Sequence, residues 1–304
     1  DKFRKNINEL IMFYRSILIL ILILSPAYAS DGDKKSLINS IFGTISNKIE
    51  NLSVFSDKSN VDVNITGGEK MKPMGSVSVV SPLSQEINSM IFNQTQINNY
   101  FVRGKQRQAL NLGFGYRELS EDKKQFLGIN SFFDIDTKSN TRASVGLEYF
   151  STPFTANANL YKKVSGAKTV GDFTEKALSG YDVNLAGQVP YVPWAKINYT
   201  NYQWDKIDAS KSSKGDKFGS TLNLTPSITL EIGVDDNNID DTNNFASLTF
   251  SFPPNTQLSL KDGYFSEVAY ENSDVSDDLL VKVKRSNKIV LESAAVGVVI
   301  SRLN

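Results

Sequence analysis

The residue types that most often carry out chemistry in proteins are scarce in this chain. Its 304 residues include no histidine and no cysteine, so the commonest general base and the commonest zinc ligand are both missing. No Ser/His/Asp, Cys/His or phosphate-loop arrangement is present, although chemistry by Ser, Asp or Asn alone is not strictly excluded. We therefore expect neither an enzyme nor a bound cofactor or metal.

The acidic residues offer the nearest approach to a metal site. Asp235, Asp236, Asp240 and Asp241 lie close together, but they lack the spacing and terminal Glu of a known calcium loop. A solvated acidic loop is the favoured interpretation. Likewise, Asp134 and Asp136 flank residues 137–139, where carboxylates usually cap turns rather than catalyse.

The charge balance argues against two classes of partner. Lys and Arg number 33 and Asp and Glu number 33, giving a formal net charge of zero. Neither a nucleic-acid footprint nor a polybasic membrane patch is indicated. Without cysteine, a chain of this length also has no disulfides to stabilise it.

The N-terminal residues predict export. A basic lead at 12–15 precedes an Ile/Leu core at 16–24, and Ala27 and Ala29 form a small-residue cleavage site. Residues 1–29 are therefore expected to be a signal peptide, with 1–11 an upstream or artefactual extension because Met12 occupies the start position. An N-terminal membrane anchor is the less favoured alternative, because the apolar run is short for a spanning helix.

The first part of the expected mature chain, residues 30–58, has a helical pattern. Apolar residues recur at spacings of three and four from Leu37 to Leu52, which places them on one stripe. We expect a small periplasmic helix that packs against a barrel mouth or another subunit.

From residue 60 onward the hydrophobic period changes from 3.6 to 2. In 142–150, for example, Ala143, Val145, Leu147 and Tyr149 alternate with polar or small residues. Each such segment has about the length of a tilted membrane-crossing strand. The predicted strands are 61–66, 75–82, 88–98, 110–117, 124–134, 142–150, 153–163, 179–188, 194–204, 217–224, 228–235 and 244–252.

Connection lengths separate a membrane barrel from a soluble sandwich with the same alternation. The connections 164–177, 205–216 and 235–243 are long and polar, whereas 151–152, 189–193 and 225–226 are short. Outer-membrane barrels have long external loops and short periplasmic turns, so the pattern favours a barrel over 59–252. Phe250 and Phe252 end its last strand with aromatic residues, a weak match to the signal that barrel-insertion machinery reads. Periplasmic chaperones are expected partners of such a chain.

Three ordered stretches resemble the inverse autotransporter (intimin and invasin) family. They are QFLGINSFFDIDTKSNTRASVGLEY at 125–149, SGYDVNLAG at 179–187 and VPYVPWAKINYTNYQWD at 189–205. A fourth, 277–292, resembles the segment that follows the family's barrel. The resemblance implies an all-β fold, a twelve-stranded antiparallel transmembrane barrel of the outer membrane, surrounded by lipid. It also implies a periplasmic N-terminus and a C-terminal linker in the pore.

This resemblance defines two sets of candidate site residues. Polar residues expected to face the lumen could bind the linker, or could equally hydrate the pore and pair with one another. They are Arg142, Glu148, Asp182, Asn184, Gln188, Lys196, Asn198, Glu231 and Asp235. The second set, the linker motif, comprises Arg285, Asn287, Ile289, Leu291 and Glu292.

Residues 253–304 are expected to form the pore-threading linker. Only twelve residues follow Glu292, where the family usually continues into passenger domains. A stand-alone barrel, a gene interrupted before its passenger and a chain cut at the linker all fit this ending. We expect a translocator that anchors and exports a C-terminal segment, whose external loops are candidate contacts with host or other cell surfaces. The alternative is a stand-alone narrow pore plugged by its tail.

Overall fold

A computed structural model describes residues 59–69, 71–240, 242–263 and 265–295. The predicted signal peptide (1–29) and the helix predicted within 30–58 lie outside these residues. The chain divides into two units, 1–59 and 60–304, and the description concerns the second. Among the described residues, no helix is both long enough and apolar enough to span a membrane.

Twelve antiparallel strands form one closed barrel, which confirms the predicted fold class. They are β1 (Asn60–Gly68), β2 (Met71–Gln85), β3 (Ser89–Val102), β4 (Lys105–Leu119), β5 (Gln125–Asp136), β6 (Thr141–Ser151), β7 (Phe154–Lys163), β10 (Gly180–Val189), β11 (Val192–Trp204), β12 (Ser213–Thr225), β13 (Ile228–Asn237) and β14 (Asn243–Phe252). Strand β1 pairs with β14, with Val63 opposite Phe250, so the barrel has no free edge.

The alternation of side chains places apolar residues on the outside of the barrel. On β5 and β6, Leu127, Ile129, Val145 and Leu147 are exposed, and the exposed fraction of Leu147 is 62%. The residues between them on the same strands are largely buried inside. A soluble protein buries most of its apolar side chains, whereas this barrel exposes a band of them on its outer face. Such a band suits a lipid environment.

The two ends of the barrel differ in their connections. The end with residues 86–88, 120–124, 152–153, 190–191 and 226–227, called here the turn end, has only short connections. The other, the loop end, carries 164–179, 205–212 and 238–242, which confirms the predicted alternation in this half. The loop end also has a tight connection between β3 and β4, where Arg103 and Gly104 both adopt positive φ, as a two-residue type I′ turn requires.

Three short strands were not predicted. Strands β8 (Lys168–Val170) and β9 (Phe173–Ala177) form a hairpin inside the connection between β7 and β10. Strand β15 (Leu291–Ala295) pairs antiparallel with β9, giving a separate sheet in the order β15-β9-β8. Short strands in a polar loop show no hydrophobic period, so the sequence did not predict them. They form because β15 pairs with β9, which is distant in the sequence.

Candidate functional site

The segment after the last strand, residues 253–295, is called here the tail. Its first part follows the turn end of the barrel and bonds to successive turns through the backbone. The N–H groups of Asn255, Ser266 and Val275 donate to the carbonyl groups of Pro226, Tyr191 and Lys123, at 2.6, 2.9 and 2.8 Å. The tail therefore crosses the turn end of the barrel before it enters the lumen.

Apolar side chains of the tail pack against one side of the lumen near the turn end. Val275, Leu279 and Val283 are buried among side chains of the barrel wall. Those wall residues are Val80, Met90, Phe92, Leu119, Phe126, Phe132 and Phe150. The lumen residues predicted from the sequence are all polar, whereas this side of the pore, formed by β2 to β6, is largely apolar. Burial of this cluster holds the tail by the hydrophobic effect rather than by polar contacts alone.

Beside this cluster, Arg117 binds the backbone of the tail. Its Nη1 donates to the carbonyl oxygens of Leu279 and Val281, both at 2.7 Å, and its Nη2 donates to Glu148 at 2.8 Å. The guanidinium also lies 4.3 Å from the centre of the Phe92 ring. Because Arg117 is fully buried, each of these contacts is sheltered from water.

A buried carboxylate between two arginines lies further along the pore. Asp134 on β5 forms ion pairs of 2.8 Å with Arg142 of β6 and with Arg285 of the tail. Arg142 also donates to the carbonyl oxygen of Ser286 at 2.8 Å, and Arg285 lies 4.2 Å from the centre of the Phe132 ring. The prediction that Asp134 caps a turn is wrong, because its side chain points into the lumen. Asp136 does cap that turn, through the N–H groups of Lys138 and Asn140.

Further polar groups of the tail backbone bond to wall side chains. Asn111 and Asn159 donate to the carbonyl oxygens of Asn287 and Lys284, at 3.1 and 3.0 Å. The N–H of Val283 donates to Gln94 at 2.9 Å. An extended chain in a pore can thus avoid the cost of unpaired backbone groups without joining the barrel sheet.

Four of the predicted lumen residues contact the tail. Arg142 and Asp182 bind Ser286, Gln188 donates to the carbonyl of Ala269 at 3.4 Å, and Glu231 pairs with Lys284 at 3.3 Å. The other five contact residues of the barrel wall. Glu148 accepts from Arg117, Asn184 donates to Asp182, and Asn198 donates to Thr221. Lys196 lies over the Phe150 ring, and Asp235 accepts from Tyr202 and forms an ion pair with Lys217.

The linker motif spans the exit from the pore. Arg285 and Asn287 lie in the lumen, Ile289 is buried, and Leu291 and Glu292 begin β15 at the loop end. The Glu292 carboxylate accepts from the N–H groups of Ile207 and Asp208, at 2.9 and 2.7 Å. The tail is therefore bonded to two connections of the loop end, 164–179 and 205–212.

Sequence reasoning missed Glu175, which bonds the β8–β9 hairpin to the loop end of the barrel. Its buried carboxylate accepts from Arg107 at 2.7 Å and from Asn140 at 3.1 Å. Burial raises the pKa of Glu175, but these bonds and the charge of Arg107 outweigh it and hold the pKa below its ordinary value. No hydrophobic period marks such a residue, so only the folded loop reveals it.

The acidic residues at 235–241 do not converge on a site in the part of the chain that is described. Asp235 accepts from Tyr202 and Asp236 accepts from Thr242. No group of three or more potential metal ligands occurs among the described residues, which exclude Asp241.

Glycine 113 provides space that the lumen requires. A Cβ at this position would overlap the Phe132 ring, on which Arg285 stacks. We expect Gly113→Ala to lower the free energy of unfolding by about 1–3 kcal/mol, measured by urea titration in lipid vesicles. Gly187→Ala is the matched control, because a Cβ there meets no atom within 4 Å. Equal losses in the two variants would contradict this interpretation.

Glu292 should order the external connection 205–212. Glu292→Ala removes the acceptor for two backbone N–H groups, so we expect faster proteolysis of this connection while the barrel stays folded. Limited proteolysis of folded protein measures the effect. Exposed Glu267 serves as the control position for the same substitution. Unchanged cleavage of 205–212 would contradict the role of Glu292.

Comparison with known proteins agrees with this architecture. The family model "Inverse autotransporter, beta-domain" matches residues 28–287. The chain is 30% identical over 148 residues to an attaching and effacing protein homologue of Escherichia coli K12, covering 47% of this chain and 48% of that protein. It is 29% identical over 198 residues to intimin of Escherichia coli O127:H6, covering 61% of this chain and 21% of intimin.

The chain thus spans about half the length of the first relative and about a fifth of the second. A membrane protein solved in work on in-meso crystallization aligns with a TM-score of 0.64 at 22% identity, covering 78% of this chain and 99% of that one. This likeness supports the fold. Together with the closed barrel and its apolar outer band, the match over most of the sequence settles the assignment: the chain belongs to the inverse autotransporter β-domain family, an outer-membrane translocator barrel embedded in lipid.

Proposed function

We propose that this barrel exports the chain after its last strand to the cell surface and then keeps that chain in the pore as an anchor. The path of the tail carries the proposal. It bonds to Lys123 at the turn end, to Arg117 and Asp134 in the lumen, and to β9 at the loop end. Short turns are typical of the periplasmic side of outer-membrane barrels and long loops of the outside.

The length of the tail is sufficient for this path. The 15 residues from 276 to 290 extend to at most about 50 Å, more than the roughly 30 Å of a hydrocarbon core. The bonds from wall side chains to the tail backbone favour a chain that rests there after export. A tail that only passed through the pore would need no buried ion pair.

An epitope tag after Asn304 tests the proposal. In intact cells we expect an antibody to reach this tag, and not a matched tag inserted in the 190–191 turn. Both tags should become accessible after the outer membrane is permeabilised. A tag after Asn304 that is detected only after permeabilisation would overturn the export of this segment.

A second candidate function, a narrow pore closed by its tail, is favoured by one observation. The apolar cluster of Val275, Leu279 and Val283 occupies part of the lumen near the turn end. Planar-bilayer conductance with and without residues 253–304 tests it: a plug requires conductance to rise when the tail is removed. Unchanged conductance would reject the plug.

Assembly partners and surface contacts stay predictions. Phe250 and Phe252 end β14, and Ser251 between them bonds to Asp62 on the inner face, so both rings belong to the outer face. We expect this strand to be read by the barrel-insertion machinery after delivery by periplasmic chaperones. The connections 164–179, 205–212 and 238–242 are the candidate contacts with host or other cell surfaces.

A further inference from the structure

The outer face of β10, β11 and β12 changes character near the loop end. Leu185, Tyr199 and Phe218 are in register on the three strands, and the next row toward the loop end consists of Val183, Asn201 and Asp216. These residues alternate with Asn184, Asn198 and Thr200. Asn184 donates to Asp182, which accepts from the tail, so this second set marks the inner face. The outward side chains thus pass from apolar to polar within one row.

Four outward residues form a compact group, called here the sugar patch: Tyr199, Asn201, Asp216 and Phe218. The Tyr199 hydroxyl donates to Asp216 Oδ1 at 2.6 Å, and the Asn201 amide donates to the same oxygen at 2.9 Å. Asp216 Oδ2 accepts no hydrogen bond from the described residues. The Tyr199 and Phe218 rings lie 5.0 Å apart at 40°, and Phe218 is 54% exposed.

We propose that the sugar patch binds the saccharide headgroup of a glycolipid in the outer leaflet. An exposed ring face fits the C–H face of a sugar, and an oriented carboxylate oxygen can accept from sugar hydroxyls in a charge-assisted bond. The patch is continuous with the lipid-facing surface, since exposed Ile197 and Ile232 lie on the side toward the bilayer core. Exposed Lys214, one row further toward the loop end, is placed to meet a headgroup phosphate.

An aromatic pair at a bilayer boundary could instead anchor the barrel to any lipid. The barrel itself supplies the matched control for this alternative. Tyr149 and Phe154 form a similar outward pair at the turn end, with ring centres 6.1 Å apart, and Phe154 is also exposed. The Tyr149 hydroxyl donates to the Gln125 amide oxygen rather than to a carboxylate. This pair therefore has the rings without the carboxylate.

The test is thermal unfolding of the full chain, folded in detergent and titrated separately with deep-rough lipopolysaccharide, phosphatidylglycerol or sodium phosphate. Ligand binding to the folded state raises the unfolding temperature. We expect lipopolysaccharide to give the largest rise in the unsubstituted protein. Asp216→Asn and Phe218→Ala should each raise the half-saturating lipopolysaccharide concentration about tenfold, as expected for the loss of one charge-assisted bond or one ring contact.

Phe154→Ala and Asp122→Asn, at the turn end, should leave that concentration unchanged. Each variant is compared with its own unfolding temperature without ligand, so an intrinsic loss of stability does not obscure the result. Equal effects of lipopolysaccharide and phosphatidylglycerol, or of Phe154→Ala and Phe218→Ala, would overturn the proposal. A rise with sodium phosphate as large as with lipopolysaccharide would assign the site to phosphate instead of sugar.

Discussion

Replacing Asp134 with alanine is expected to lower the free energy of unfolding of the barrel by about 3–5 kcal/mol. Asp134 is buried between Arg142 and Arg285, at 2.8 Å from each. The substitution leaves two guanidinium groups in the lumen without their counter-charge, which costs more than the loss of the contacts themselves. Urea titration in lipid vesicles measures the change, and Asp122→Ala in an exposed turn is the control.

A double-mutant cycle assigns this effect to the tail. Arg285→Met removes one of the two arginines and leaves Asp134 paired with Arg142, so its loss should be smaller than that of Asp134→Ala. The double variant Asp134→Ala with Arg285→Met should lose less than the sum of the two single variants, since the groups are in direct contact. Strict additivity, or equal urea midpoints for Asp134→Ala and Asp122→Ala, would show that this ion pair does not hold the tail.

Leu279→Asp is expected to open the pore. The Leu279 side chain is 2% exposed and packs within the apolar cluster near the turn end. A carboxylate there would lose its hydration without gaining a partner, which destabilises the packed position of the tail. Removing the buried leucine side chain adds about 2–5 kcal/mol to this free-energy cost. The tail should leave the lumen near the turn end. The strands should stay paired, because the hydrogen bonds between them do not depend on the tail. Single-channel conductance in planar bilayers should then rise above that of the unsubstituted barrel.

Leu258→Asp is the matched control for this experiment. It introduces the same charge into the same tail, but Leu258 is 43% exposed and lies outside the apolar cluster. We expect its conductance to equal that of the unsubstituted barrel. If both variants fold, as judged by heat-modifiable migration, and both show the same conductance, the apolar cluster does not close the pore.

Much of the architecture follows from local sequence. Alternation such as Ala143, Val145, Leu147 and Tyr149 predicted β6 to within one residue at each end, because a strand's period of two is a property of the backbone. Polar connections predicted the loop end in the second half of the barrel. The inward face of β6 followed from the same parity, which is how Arg142 and Glu148 were found.

The tertiary structure decided which inward groups act on the tail. Arg117 and Glu175 were missed because their partners are 162 and 68 residues away in sequence, and no local period encodes such a distance. Asp134 could have been found from its register opposite Arg142, a cross-strand pair of opposite charge. Arg285 was marked by its motif, yet its position in the pore depends on the whole barrel.

Local sequence was enough to predict a membrane barrel whose strands mostly have one apolar and one polar face, since strand parity and turn residues act over a few positions. The family resemblance implied twelve such strands. The apolar side of the lumen near the turn end, against which the tail packs, follows instead from the tertiary structure. Phe92, Phe126, Phe132 and Phe150 occur at inward positions of three strands, β3, β5 and β6, and they form a cluster only once the barrel closes around the tail. Their burial therefore depends on contacts between different strands and with the tail.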